Sequence, residues 1–143
     1  MRIFLDANIL FSAAKSPGAI YQMLARVRTA GHVLCADVYV EAEARRNLEI
    51  KEPAGLRELD VLIAAIELAA YRPGALPPKV AALLPEKDRP VLAAAIAMQC
   101  DVLVTGDRTH FGVLYGRVVH GVAIHSPSML AAATGLARTD KFA

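Results

Sequence analysis

Arg2-Ile3-Phe4-Leu5-Asp6-Ala7-Asn8-Ile9-Leu10 near the start of the chain and Val102-Leu103-Val104-Thr105-Gly106-Asp107 far downstream share one design. Each is a short apolar run that ends in a carboxylate. A run of this length predicts a buried strand. In open α/β sheets, ligands bind along the edge formed by the carboxyl ends of the strands. Asp6 and Asp107 therefore point to one acidic pocket at that edge, and an acidic pocket points to a metal ion.

The segments between these runs alternate. Ser16-Pro17-Gly18 is a break, after which Ile20, Leu24 and Val27 carry helical spacing over 19–29, with Gly31 as its stop. The stretch 32–36 predicts a second strand, and Asp37 suits the N-cap of a helix through Leu48. Pro53 opens a further predicted helix to about Ala70, followed by a loop over 71–78 and at most a short helix over 79–84. An Ala-rich helix is predicted over 89–99, a strand over 102–104, a turn at 105–107, a short helix over 109–114, a strand over 118–124 and a helix over 127–133 stopped by Gly135. Strands alternating with helices predict α/β architecture, a mostly parallel sheet covered on both faces. One domain over 1–136 with a loose tail over 137–143 is the expected organisation.

Bulk properties narrow the function. Of 143 residues 55% are apolar, which excludes a disordered chain. Asp60 and Glu67 interrupt the apolar stretch 56–70, so no membrane span is expected, and Asp6 breaks the first run too early for a signal peptide. The expected compartment is the cytoplasm. Cys35 and Cys100 lie far apart in apolar surroundings and read as small core residues, with no zinc-type spacing. No two of the histidines 32, 110, 120 and 125 form a close pair; His110 is the best placed for chemistry because it follows Asp107. The net charge of +2 says little by itself. If acids are sequestered around a cation, however, the remaining surface is distinctly positive, and Arg45, Arg46, Lys51, Lys87, Arg89 and Arg108 lie near the acidic segments. That suits a polyanion such as a nucleic acid.

Asp88 precedes the Ala-rich helix, and either Glu41 or Glu43 on the helix after the second strand can reach the same edge. Two like charges ~5 Å apart repel by ~3 kcal/mol at an effective dielectric of ~20, so such a cluster calls for a proton or a cation. Oxygen ligands favour Mg²⁺ or Mn²⁺. Each acid also has a simpler reading. Asp6 can cap a turn with Asn8, Asp88 can cap its helix, Asp107 can form an Asx turn, and Asp101 can end a helix or start a strand. Asn8 and Thr105 can orient the carboxylates or merely satisfy turn backbone. The apolar stripe Val40, Ala44, Leu48 is flanked equally by Glu41 and Glu43, so periodicity does not choose between them.

Four motifs in order resemble the PIN-domain family. Leu5-Asp6-Ala7-Asn8-Ile9-Leu10-Phe11-Ser12-Ala13 resembles the opening motif. The stretch 39–48, YVEAEARRNL, is similar to the second, with the acid four residues before Asn47 in the functional slot, which selects Glu43. The stretch 86–96, EKDRPVLAAAI, looks like the third and maps its acid onto Asp88, and 102–111, VLVTGDRTHF, looks like the fourth and maps its acid onto Asp107. Many relatives carry two adjacent acids in the third motif; here Lys87 replaces the first. The resemblance spans about 1–133. It implies a three-layer α/β/α PIN-like domain and an endoribonuclease dependent on Mg²⁺ or Mn²⁺, often the toxin of a toxin–antitoxin pair. It further implies frequent homodimers and a small antitoxin that inserts into the acidic pocket.

Joined to the residues, this gives a concrete expectation. Asp6, Glu43, Asp88 and Asp107 hold the cation, Asn8 and Thr105 position ligands, and Arg46, Arg89 and Arg108 hold the RNA backbone. Water is the expected nucleophile, since no Ser or Cys has a partner base. One alternative is a phosphatase of the haloacid-dehalogenase kind, which needs a proton donor two residues after its aspartate; Asn8 stands there and cannot serve. The other is a PIN-like module that binds RNA or protein without cutting.

Overall fold

The computed structural model describes residues 1–72 and 74–136. In chain order its elements are β1 (Arg2–Leu5), α1 (Ala7–Lys15), α2 (Ala19–Thr29), β2 (Val33–Asp37), α3 (Val38–Lys51), α4 (Leu56–Ala64), β3 (Glu67–Ala69), α5 (Pro78–Ala81), α6 (Arg89–Ala97), β4 (Val102–Val104), α7 (Arg108–Phe111), β5 (Val118–Val119), β6 (Val122–His125) and α8 (Pro127–Ala133). Short 3-10 turns occupy Pro53–Gly55, Glu86–Asp88 and Gly112–Leu114. The tail expected over 137–143 lies outside the described residues.

The sheet runs β3-β2-β1-β4-β6-β5, parallel throughout except for β5. β1 and β4 form its centre. Ile3, Phe4, Leu5, Leu103 and Val104 are fully buried, as strands covered on both faces require. From β1 the chain steps outward to β2 and β3, then crosses back to β4 on the other side of β1. Right-handed crossovers place helices from these opposite movements on opposite faces of the sheet. α1 packs on α2, α3 and α4, while α6 packs on β4 and α8 on β6. The strand order reverses between β1 and β4, and it is at such a reversal that open α/β sheets form their ligand crevice.

Three expectations change. The helix predicted from 53 to about 70 ends at Ala64, and Glu67–Ala69 is instead an edge strand beside β2. The open edge of β2 offers backbone pairing that outweighs the helix preference of Glu, Leu and Ala. The single strand over 118–124 is a hairpin turning at His120 (φ 46°) and Gly121 (φ 84°). Two central residues with positive φ make the tight turn that matches strand twist, and Gly accepts that conformation readily. The helix Ala7–Lys15, absent from the sequence reading, starts directly after β1 because the Asp6 side chain accepts from the Ala7 N–H. In α8, Leu130 and Ala131 are buried in the core.

Gly55 marks a close approach of the turn between α3 and α4 to the end of α1. A Cβ there would lie 2.9 Å from Leu48 Cδ2 and 3.0 Å from the Ala14 carbonyl oxygen. The leucine can yield; the backbone carbonyl cannot without moving α1. Gly55→Ala is expected to destabilise by about 1–3 kcal/mol. Gly112→Ala meets nothing within 4 Å and has helical φ −55°, so it is expected to be neutral or to stabilise by up to about 1 kcal/mol. Urea midpoints separate the two; equal midpoints would contradict the packing at Gly55.

Candidate functional site

Leu5 pairs with Val104 in the central ladder, so the residues that follow, Asp6 and Thr105, emerge side by side. The Asp6 N–H donates to the Val104 carbonyl at 3.1 Å and extends the pairing by one step. The Thr105 hydroxyl, fully buried, donates to Asp6 Oδ2 at 2.8 Å. Asn8 Nδ2 donates to the same oxygen at 3.1 Å and to Thr105 Oγ1 at 3.3 Å, while Asn8 Oδ1 accepts from the Gly106 N–H at 2.8 Å. The Asp107 N–H donates to Thr105 Oγ1 at 3.1 Å. One threonine hydroxyl thus ties the two strand-end loops together, and Asn8 is spent on the same network.

Asp107 caps α7, accepting from the His110 N–H at 3.1 Å through Oδ1. Its Oδ2 lies 2.8 Å from His110 Nδ1, and that same nitrogen lies 2.9 Å from Asp88 Oδ2. Asp88 ends the turn before α6, but its side chain makes no capping hydrogen bond to that helix. The simpler reading of Asp88 as a side-chain cap does not hold: it stands at the N-cap position with αR backbone (φ −95°, ψ −15°) rather than the extended backbone of a typical N-cap. Its carboxylate turns toward the loop carrying Asp107.

Glu43 sits on α3 at a cleft of about 400 Å³ shared with Asn8, Gly106 and Asp107. Glu41 is used elsewhere, pairing with Arg45 at 3.1 Å, which also pairs with Asp60 at 2.9 Å. Asp101 lies at the opposite end of β4 and accepts from the Arg2 N–H at 2.8 Å, which removes it from the cluster. Of the three arginines expected to hold substrate, Arg46 and Arg108 are exposed. Arg89 Nε instead donates to the Ala81 and Leu84 carbonyls at 2.8 and 3.1 Å, which fixes the segment before Asp88.

Two tyrosines belong to the frame and had no signal in the sequence. Tyr39 donates to the Lys87 carbonyl at 2.7 Å, next to Asp88, and Tyr115 donates to the Thr105 carbonyl at 2.7 Å. Each bond joins a distant element to a loop that carries an acid. His110 was legible only as a neighbour of Asp107; its contact with Asp88 depends on tertiary structure.

The electrostatics reflect crowding of like charges. Asp6 is 4% exposed, and burial pushes its carboxyl from an ordinary 3.8 up to about 6, with Glu43 and Asp88 adding to the rise and the Thr105 and Ala7 hydrogen bonds opposing it. Asp88 is also raised, chiefly by burial, with Asp107 adding and His110 and Lys87 opposing. Asp88 Oδ2 is buried and receives no hydrogen bond of acceptable geometry. A buried carboxylate oxygen that faces His110 Nδ1 as an ion pair, within a set of acidic groups, fits a divalent cation. Asp6, Glu43, Asp88 and Asp107 are the residues that could hold it.

Because Asp6 titrates higher folded than unfolded, the cation-free folded protein keeps a proton that the unfolded chain releases. Its stability is therefore expected to fall as pH rises from about 4 to about 6. Asp6→Asn removes that charge, so in EDTA the variant should match wild type near pH 4 and exceed it by up to about 3 kcal/mol at pH 7.5. Denaturant unfolding across pH measures this; a difference independent of pH would contradict the account.

The PIN domain family model matches residues 2–109. No curated protein matches the sequence. Among solved structures, the chain is similar to a VapBC2 structure from Rickettsia felis bound to a DNA fragment from their promoter, with TM-score 0.66 and 18% identity over 88% of this chain and 98% of that one. It is also similar to VapBC-1 from nontypeable Haemophilus influenzae, with TM-score 0.61 and 14% identity over 90% of this chain and 99% of that one. These likenesses concern the fold, and the family match covers the segments that carry all four acids: the chain belongs to the PIN-domain family.

Proposed function

We propose that the protein is a divalent-cation-dependent endoribonuclease and the toxin member of a toxin–antitoxin pair. What supports this reading is that Asp88 and Asp107 present carboxylate oxygens within 4.8 Å of each other beside the reversal between β1 and β4, with Asp6 and Glu43, from two further segments, close enough to act on the same cluster by charge. Family membership supports nuclease chemistry, and the likeness to VapBC assemblies supports an antitoxin partner.

In this reading the four carboxylates hold Mg²⁺ or Mn²⁺. Such a cation, when bound, polarises a phosphoryl oxygen and lowers the pKa of water. Thr105 and Asn8 hold Asp6 in one orientation, so the site needs little rearrangement on loading. Tyr115 and Tyr39 keep the Asp107 and Asp88 loops at fixed separation from it. Arg108 and Arg46 are exposed and can pair with backbone phosphates of single-stranded RNA. No helix among the described residues is long and apolar enough to cross a membrane. A cytoplasmic homodimer restrained by an antitoxin completes the proposal, on the family resemblance.

Cleavage of labelled single-stranded RNA in Mg²⁺ or Mn²⁺ tests it. Asp6→Asn and Asp107→Asn are each expected to lower the rate at least about 100-fold, the scale of losing several kcal/mol of charge stabilisation. Glu41→Gln is the control and should leave the rate within about twofold, since Glu41 faces Arg45. Cleavage indifferent to Asp6→Asn would refute the site. RNA binding with no cleavage in any metal would identify a non-catalytic module.

A further inference from the structure

We propose that His110 is a direct nitrogen ligand of the cation site, through Nδ1, and that the site therefore prefers Mn²⁺ over Mg²⁺. The inference rests on the cation-dependent reading above and adds to it a ligand and a metal preference.

The first argument is geometric. His110 Nδ1 lies 2.9 Å from Asp88 Oδ2 and 2.8 Å from Asp107 Oδ2. One ligand atom from each of the three residues falls within 4.8 Å of the others. Adjacent corners of an octahedron with bonds of about 2.0–2.1 Å are about 2.8–3.0 Å apart. The two separations match such edges.

The second argument concerns unmet bonding. At these distances an imidazole N–H could serve a carboxylate, but neither Asp88 Oδ2 nor His110 Nδ1 has a hydrogen bond of acceptable angle, and both atoms are buried. Asp88 is only 9% exposed, so water does not readily serve that oxygen. His110 Nδ1 stands at ion-pair distance from both carboxylates, and a cation in the same place would serve all three groups.

The third argument is positioning. The His110 backbone N–H is bonded to Asp107 Oδ1, and the following residue, Phe111, is fully buried. The imidazole is thus held on a short helix whose cap is itself one of the acids, and it needs no reorganisation to face the cluster.

The chemical consequence follows from donor type. A purely carboxylate set suits Mg²⁺, which strongly prefers oxygen and retains its waters, whereas an imidazole nitrogen favours first-row transition ions. Mn²⁺ accepts both.

The test uses the full chain with Mn²⁺ as the only added metal. Electron spin-echo envelope modulation of bound Mn²⁺ should show directly coordinated ¹⁴N in wild type and lose it in His110→Gln. Calorimetry should show Mn²⁺ affinity falling about tenfold or more in the variant and Mg²⁺ affinity falling less. Bound Mn²⁺ without a nitrogen coupling in wild type would overturn the inference while leaving the acidic site intact. A coupling that persists in His110→Gln would overturn it as well. Failure of wild type to bind Mn²⁺ would overturn the nuclease reading too. Should His110→Gln fail to fold, His110→Asn replaces it, and the wild-type spectrum remains decisive by itself.

Discussion

The buried hydrogen bond from the Thr105 hydroxyl to Asp6 Oδ2 joins the ends of the two central strands, and the arrangement of the site depends on it. Backbone pairing of β1 with β4 brings these residues together; the hydroxyl then sets where the Asp6 carboxylate points. Because Thr105 Oγ1 also receives the Asp107 N–H, the second loop takes its course from the first. A buried threonine is a good choice for this. It is one donor and two acceptors in a small volume, and here it serves a carboxylate, a backbone amide and the Asn8 side chain.

Crowding of buried carboxylates is costly to the fold. Asp6 and Asp88 are both pushed toward their protonated forms by burial, with neighbouring carboxylates adding to the effect. The surrounding structure holds these groups in place: Tyr39 and Tyr115 brace the loops, Arg89 ties down the segment before Asp88, and the fully apolar strands beneath supply the core. Local electrostatic strain at a site, supported by well-packed elements elsewhere, is the pattern expected of functional positions.

Much of this was readable from residues alone, for a physical reason. Strands buried on both faces are short unbroken apolar runs, so β1 and β4 declared themselves, and each is followed within a few residues by a carboxylate that also caps the next helix. Asp6 and Asp107 were legible on those grounds. Glu43 was not, since Glu41 and Glu43 flank the core stripe on opposite sides and periodicity does not choose between them; only the motif resemblance, and then the Arg45 pairing of Glu41, separated them. Asp88 had two readings, a cap for its helix or a member of the acidic cluster, and only tertiary structure shows that its side chain makes no capping bond. Edge strand β3 was hidden because its three residues carry helix-favouring types and pair only once β2 is in place. Contacts such as Tyr39 to Lys87 span 48 residues and leave no local trace.

Crystals soaked in Mn²⁺, with diffraction recorded at the manganese edge, would test the central claim most directly. The account predicts an anomalous peak at the C-terminal end of β1 and β4, within bonding distance of carboxylate oxygens from at least two of Asp6, Glu43, Asp88 and Asp107. A fully soaked crystal with no peak there, or with manganese bound only at unrelated surface acids, would contradict it.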